Sequence, residues 1–285
     1  MLPFALLLAE PPPQWFGNPG NEVDSGWTNE NWLKSRFHFS FAEYRNPKNT
    51  QFGVLRVMND DLVQGSRGFG THPHRDVEIV TYIVEGELTH ADSINRGQPQ
   101  TLGRGSVQFM TAGTGIQHSE HNRLDTPLRF IQIWITPRDF GYEPKYGGYD
   151  GTTSAAIAAR KNALSQIVGD AQSKACSAPV QLQQDLSMYV AELDAGSQVT
   201  LPLAAQRQAY VLCVEGKIAL SDASSGSIAP TQLVRHDAAE IRCAEGGGGE
   251  ICLAAPTDSS AHILLLEMAH GPGGRGPGSW PLHMG

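Results

Sequence analysis

The chain has 285 residues, of which 40% are hydrophobic and 18% are charged, and its formal net charge is −8. This length fits two modest domains or one large domain, and the apolar content argues against wholesale disorder. The acidic balance disfavours direct nucleic-acid binding through bulk charge, although contact with a DNA-binding protein would not need a basic surface. We expect no membrane span, because no stretch approaches the ~18 uninterrupted apolar residues that one requires.

The first ten residues are apolar but contain no basic segment, so they predict no secretory signal peptide. Four cysteines lie in the second half of the chain without a C-x-x-C pair, namely Cys176, Cys213, Cys243 and Cys252. We expect reduced thiols, with a Cys243–Cys252 disulfide as the alternative. These features predict a cytoplasmic protein, or also a nuclear one if the source is eukaryotic.

Short β-rich runs separated by turns dominate the chain. Residues 54–58, 77–84, 107–110 and 129–136 are rich in β-branched and aromatic side chains or alternate apolar with polar ones. Such runs predict an all-β fold of antiparallel strands, in a barrel or a sandwich. The Ala-rich segment 153–168 is the clear helix candidate.

A faint internal repeat predicts two copies of one domain. Tyr82-Ile-Val-Glu-Gly86 resembles Leu212-Cys-Val-Glu-Gly216, at an offset of about 130 residues. We therefore place one domain at residues 10–150 and the second at 170–268, joined by a linker helix at 151–169. The Gly/Pro-rich tail at 269–285 is expected to be irregular.

Histidines are concentrated in the first predicted domain, where five of the ten lie between His72 and His121. His72 and His74 are two residues apart beside a predicted strand, and His118 and Glu120 repeat this spacing. Side chains at i and i+2 of an extended backbone point to the same face, so each pair can reach one ion. Three imidazoles and a carboxylate suit Fe(II), and also Mn, Ni, Cu or Zn.

The residues around this set match the cupin pattern, with His-x-His followed by a series of spaced positions: Glu78, Gly86, Gly105, Gly113, His118 and Asn122. Two departures are visible. Thr111 stands where the second cupin motif usually has proline, and two extra residues separate Gly113 from His118.

These departures fit the pirin branch better, and the chain resembles the pirin family closely. The segments that carry the resemblance are residues 32–42, 55–61, 72–82, 85–93 and 110–120. The second half resembles the family loosely, through residues 187–196 and 214–216. The resemblance implies two tandem cupin (jelly-roll) barrels with iron in the N-terminal one, held by His72, His74, His118 and Glu120.

Other polar residues near the set receive different expectations. Glu78 is a metal ligand in many cupins, but the resemblance to pirins gives that role to Glu120 and leaves Glu78 to hydrogen-bond nearby. Arg75 and Asp76 are expected to form a surface ion pair. His90 is expected to be solvated in a turn.

His121 is expected to face away from the metal set, because it is adjacent to Glu120 on a strand. The second barrel is expected to lack a metal, since the repeat places Pro202 on His72 and Ala204 on His74. It would then serve as a stabilising partner of the first barrel.

The resemblance implies one of two functions. The first is an Fe(II)-dependent dioxygenase of the quercetin 2,3-dioxygenase type, which uses O₂ on a small planar flavonol with Glu120 as general base. Phe69 and Phe109 are candidates for lining its substrate pocket. The alternative is a non-enzymatic, redox-sensing transcriptional co-regulator that depends on iron and acts through protein–protein contacts. We expect a monomer in either case.

Overall fold

The structure is a computed structural model, and it describes residues 4–8, 15–16, 32–42, 44–223, 230–243 and 247–270. The chain divides into two compact units. The N-terminal unit ends at Thr153, and the C-terminal unit starts at Ser154 and also takes in a strand from the beginning of the chain, β1 (Phe4–Leu8).

The N-terminal unit is a barrel of two antiparallel sheets. Its strands are β2 (Trp15–Phe16), β3 (Leu33–Phe37), β4 (Leu55–Val63), β5 (Gly68–His74), β6 (Glu78–Glu85), β7 (Glu87–Asp92), β8 (Gln100–Gly103), β9 (Val107–Thr111), β10 (Ile116–His121), β11 (Leu128–Ile135) and β12 (Lys145–Tyr149). Seven strands form one sheet in the order β12-β9-β6-β11-β4-β3-β2. The other four form a smaller sheet in the order β5-β10-β7-β8.

The interior of this barrel is layered, because inward-facing positions alternate along each strand. One apolar cluster includes Val57, Ile79 and Trp134, and a second includes Val63, Ile83 and Phe130. The inward positions between the two clusters are polar: Asn59, Asp61, Thr81 and Gln108 are buried, and Gln132 is partly buried. The barrel therefore holds a buried polar layer between two apolar ends.

The C-terminal unit is a second β-barrel. After helix α1 (Ser154–Arg160), its strands are β13 (Ser165–Asp170), β14 (Val180–Leu182), β15 (Leu186–Leu193), β16 (Gln198–Leu203), β17 (Arg207–Asp222), β18 (Thr231–Val234), β19 (Ala238–Cys243), β20 (Gly249–Ala254) and β21 (Ala261–Ala269). The main sheet path is β1-β19-β17-β21-β15-β13-β14, and the long β17 also pairs with β18 and β20.

Hydrophobic side chains fill the interior of the second barrel. A cluster of buried residues draws on most of its strands, with Leu193, Val211, Leu220, Ile241 and Leu265 among its members. Apart from the thiols of Cys213 and Cys243, the side chains of this cluster offer no donor atom to an ion or a polar ligand.

The predicted fold, two all-β barrels of the cupin type in tandem, is confirmed. The repeat identified in the sequence marks the same structural point in both barrels. At Glu85-Gly86 and Glu215-Gly216 the chain bends from one sheet into the other, and both glycines have positive φ, 79° for Gly86 and 75° for Gly216.

The linker helix is shorter than predicted. The helix covers only Ser154–Arg160, and Ser165–Asp170 forms β13, which pairs with β15. Asn162 adopts a left-handed conformation with φ of 53°, which ends the helical path. Ile167 and Val168 are β-branched and fully buried, and their packing favours a strand.

None of the four cysteines forms a disulfide, so the alternative Cys243–Cys252 pairing is not made. In the part of the chain that the structure describes, no helix combines the length and hydropathy needed to cross a membrane. The predicted tail at 269–285 lies, from residue 271 onwards, outside the described residues.

Candidate metal centre

Strand pairing brings the two i,i+2 motifs together. β5 and β10 are antiparallel neighbours, and His118 lies opposite His72. β7 pairs with the other edge of β10, where Asp92 lies opposite His118 and His90 lies opposite Glu120. The side chains at these alternate positions share one face of the smaller sheet.

Three histidines form a tight group on this face. The ligand atoms of His72, His74 and His118 all lie within 4.8 Å of one another. The Nε2 atoms of His72 and His118 are 3.0 Å apart. His74 and His118 are buried, whereas His72 is partly exposed.

The protonation pattern of this group suits a divalent metal. His72 Nδ1 lies 2.7 Å from the Gly70 carbonyl oxygen, which can only accept, so Nδ1 carries a proton and, in the neutral ring, the lone pair is on Nε2. Burial lowers the pKa of His74 to about 3 and also lowers the pKa of His118, which favours the neutral rings that metal ligands require. His74 Nδ1 is buried without a hydrogen-bond partner in the described residues. The donor set therefore fits a metal ion.

Glu120 reaches from the smaller sheet into the polar layer. Its Oε2 accepts a hydrogen bond of 3.0 Å from Gln132 Nε2, and its Oε1 accepts one from Gln108 Nε2. Thr81 Oγ1 lies 3.2 Å from the same Oε1. Burial raises the pKa of Glu120 to about 7, although these hydrogen bonds act in the opposite direction. The carboxylate is thus held by donors from β6, β9 and β11.

Glu120 belongs to a second group with His90 and His118, whose ligand atoms also lie within 4.8 Å of one another. The group of His72, His74 and His118 does not include it. His118 is the member that the two groups share. The structure thus brings all four predicted ligands into one region of the barrel, with Glu120 on the side of His118.

His90 is not the solvated turn residue that we expected. It lies on β7, which extends to Asp92, and its side chain is almost fully buried. His90 Nε2 is 3.1 Å from Asp92 Oδ2, and its Nδ1 is 3.4 Å from His118 Nδ1. Its ring stacks on Tyr146, with centroids 4.2 Å apart and an interplanar angle of 6°. The expectation was wrong because β7 continues to Asp92 and the turn begins only at Ser93.

Glu78 is fully buried, on the opposite face of β6 from Ile79 and Thr81. Its Oε2 accepts a hydrogen bond of 2.9 Å from Thr111 Oγ1, the residue that replaces the usual cupin proline. Neither metal-competent histidine group includes Glu78. Its expected role in local hydrogen bonding agrees with this contact.

Three further predictions concern the Arg75–Asp76 ion pair, His121 and the two candidate phenylalanines. The surface ion pair is confirmed, with Arg75 Nε 3.2 Å from Asp76 Oδ2. His121 is partly exposed and belongs to neither histidine group. Phe69 packs edge-on against Trp32 at 5.0 Å beside one apolar cluster, whereas Phe109 lies on the opposite face of β9 from the inward-facing Met110.

The second barrel has no comparable group of ligands among the residues that the structure describes. Pro202 lies within β16, opposite Glu250 of β20, and Ala204 follows the end of that strand. The side chains at the repeat positions of His72 and His74 thus offer no donor atom.

Comparison with known proteins gives matches over both barrels. The pirin family model matches residues 20–135, and the model described as the quercetinase C-terminal cupin domain matches residues 171–268. The quercetin 2,3-dioxygenase of Escherichia coli (strain K12) is 36% identical over 246 residues, which cover 86% of this chain and 95% of the relative. A pirin-like protein of Caulobacter vibrioides is 36% identical over 194 residues, 68% of this chain and 80% of the relative.

Solved structures agree. YhhW from Escherichia coli superposes with a TM-score of 0.73 at 29% identity, over 94% of this chain and 99% of YhhW. The same bacterial pirin in complex with nickel(II) superposes with a TM-score of 0.70, over 94% of this chain and 100% of that one. With relatives matched along nearly their whole length, the chain belongs to the pirin family.

Proposed function

We propose that this chain is a metal-dependent dioxygenase that oxidises flavonols such as quercetin with O₂. The observation that carries the proposal is the group of three imidazoles, His72, His74 and His118, inside a barrel of a chain whose relatives include a protein named quercetin 2,3-dioxygenase. Fe(II) is the proposed ion, and Mn, Ni, Cu or Zn would suit the same donors.

Four residues would hold this ion. His72 and His118 offer Nε2 atoms that face each other at 3.0 Å, and His74 completes the histidine group. Glu120 is the proposed fourth ligand, because it lies beside His118 and carries the only carboxylate in either histidine group within the described residues. When bound, a divalent ion acidifies a hydroxyl group that it contacts and supports chemistry with O₂.

Glu120 is also the proposed general base. Without a bound ion the pKa of Glu120 lies at about 7, and its carboxylate could take a proton from a substrate hydroxyl near neutral pH through an oxygen that the ion does not hold. The amide groups of Gln108 and Gln132 donate to its two oxygens and fix their direction. These hydrogen bonds would hold the Glu120 carboxylate in one orientation when no substrate is bound.

Aromatic side chains near this position would orient a planar ring. Phe69 lies opposite Glu120 in the β5–β10 pairing, and it packs against Trp32 and Phe130. Ring edges of this kind make favourable contacts with aromatic ligands. Phe69 therefore remains the candidate for substrate contact, and Phe109 does not.

The test is O₂ uptake by protein that has been loaded with Fe(II) under anaerobic conditions and then mixed with quercetin. We expect quercetin-dependent uptake that chelation abolishes and that Fe(II) restores. Full iron loading without any quercetin-dependent uptake would contradict the proposal. That result would favour the iron-dependent co-regulator instead.

A further inference from the structure

The proposed function leaves one well-ordered group beside the metal position without a role. Asp92, His90 and His118 form a line of hydrogen-bonding contacts, with His90 Nε2 3.1 Å from Asp92 Oδ2 and His90 Nδ1 3.4 Å from His118 Nδ1. All three side chains are almost fully buried. Tyr146 stacks on the His90 ring and restricts its rotation.

We propose that His90 is a positioning residue that, together with Asp92, holds the proton of His118 on Nδ1 and so leaves the Nε2 lone pair of His118 directed at the metal position. This inference rests on the proposed function, in which His118 is a ligand. It assigns to His90 a role that requires no contact with the metal or the substrate.

The direction of each proton follows from the donors and acceptors along the line. Asp92 Oδ1 accepts from the backbone N–H groups of Ile94 and Asn95, at 2.9 and 2.8 Å, and Oδ2 accepts from the Asn95 side-chain amide at 2.9 Å. A carboxylate that receives three such donors is acceptor-only, so His90 Nε2 must carry the proton that points at it. His90 Nδ1 then has a lone pair.

That lone pair gives an acceptor to the tautomer of His118 that a metal needs. A neutral His118 ring can place its proton on Nδ1, facing His90 at 3.4 Å, or on Nε2, facing His72 Nε2 at 3.0 Å. Only the first tautomer presents Nε2 to an ion. An ion held by His72 Nε2 would occupy the competing lone pair, and His90 would then be the acceptor that keeps the proton of His118 on Nδ1. Carboxylate or carbonyl groups that orient ligating histidines in this way raise ligand basicity and metal affinity, and His72 has its own orienting group in the Gly70 carbonyl.

The tautomers can be observed in the full chain without metal and after loading with Zn²⁺, which is diamagnetic. Long-range ¹H–¹⁵N correlation spectra of protein labelled with ¹⁵N-histidine distinguish the two ring nitrogens. We expect the proton of His90 on Nε2 in both states and that of His118 on Nδ1 in the Zn²⁺-loaded protein. Finding His90 protonated on Nδ1 in either state, or His118 protonated on Nε2 in the Zn²⁺-loaded protein, would overturn the inference.

Nickel affinity, measured by competition with a chelator, gives the second readout. His90→Phe keeps a planar ring against Tyr146 but removes the acceptor, so we expect Ni²⁺ to bind about 10- to 100-fold more weakly. His90→Gln restores an acceptor oxygen and should stay within about threefold of wild type. His121→Phe, which removes a histidine that belongs to neither group, is the matched control and should bind like wild type.

The outcomes separate this inference from the proposed function. Wild-type protein that binds no Ni²⁺ would contradict the metal centre, while the tautomer of His90 in the metal-free protein would still test its contact with Asp92. Equal affinity in wild type and His90→Phe would contradict the role of His90 alone. Loss of a second equivalent of Ni²⁺ in His90→Phe would make His90 a ligand and would also overturn the positioning role.

Discussion

His74 is packed between the other members of its group and an indole ring. Its ring centroid lies 4.8 Å from His72, 4.9 Å from His118 and 5.0 Å from Trp134, and its Nδ1 has no partner in the described residues. We expect His74→Ala to lose most of its bound iron, because the remaining donors cannot complete the coordination. Elemental analysis checks this, with His121→Ala as the control, and full metal content in His74→Ala would contradict it.

The variant Glu120→Gln distinguishes a role of Glu120 as general base from a role as metal ligand alone. We expect it to lower flavonol oxidation by roughly a hundredfold or more while most iron is retained, because an amide cannot accept a proton at neutral pH and the three histidines still bind. Iron content and rate should be measured on the same sample. If the rate falls only in proportion to iron, Glu120 is a ligand and not the base.

Asp61 gives a pH-dependent contribution to stability. Burial raises the pKa of this carboxyl to about 7, and the negative charges of Asp60 and Glu120 add to the effect. Between its ordinary pKa near 4 and about pH 7 the folded state holds a proton that the unfolded state has lost, so stability falls as pH rises by at most about 1.4 kcal/mol per unit. Asp61→Asn should therefore raise the melting temperature more at pH 8 than at pH 5. An equal gain at both pH values would contradict this.

Residue spacing predicted the group of His72, His74 and His118, but it did not identify the neighbouring His90. His72/His74 and His118/Glu120 were recognisable because i and i+2 share a face of a strand. His90 and Asp92 have the same spacing, and this signal could have identified them. They were missed because Asp92-Ser93 reads as a turn, and the extent of β7 is set by its pairing with β10, which local sequence does not show.

Among the elements, the turn that leads into β10 depends on Gly113. Its φ is 46°, and a Cβ atom there would lie 1.9 Å from the Tyr142 carbonyl oxygen. Gly97 has a similar φ of 70° but open space around it. We expect Gly113→Ala to cost at least about 3 kcal/mol of unfolding free energy and Gly97→Ala only roughly 1 kcal/mol. Chemical denaturation measures both, and equal costs would show that the close approach to Tyr142 does not matter.

The linker shows why helix propensity alone was insufficient. Its alanines favour a helix, and the structure has one at Ser154–Arg160. The following residues join a sheet because β15 offers a partner and the barrel interior offers apolar contacts for Ile167. The pairing with β15 and the apolar contacts of Ile167 both come from residues distant in sequence, so tertiary packing determines where the helix ends.

For the whole molecule, we expect one metal ion per chain. The only metal-competent groups in the described residues lie in the N-terminal barrel, and the interior of the C-terminal barrel is apolar. Titration of metal-free protein with Ni²⁺ should saturate near one equivalent. Saturation at two equivalents that survives His74→Ala would reveal a site that the barrel interiors do not explain.

The position of β1 has a consequence for synthesis of the protein. Leu8 pairs with Ala239, so β1 is synthesised about 230 residues before its partner strand. Every strand of the N-terminal barrel has been made by Tyr149, long before β19 appears. The N-terminal barrel can therefore fold while β1 is still an unpaired apolar segment. Recruitment of chaperones to nascent chains should then be strongest between the completion of the first barrel and the synthesis of β19.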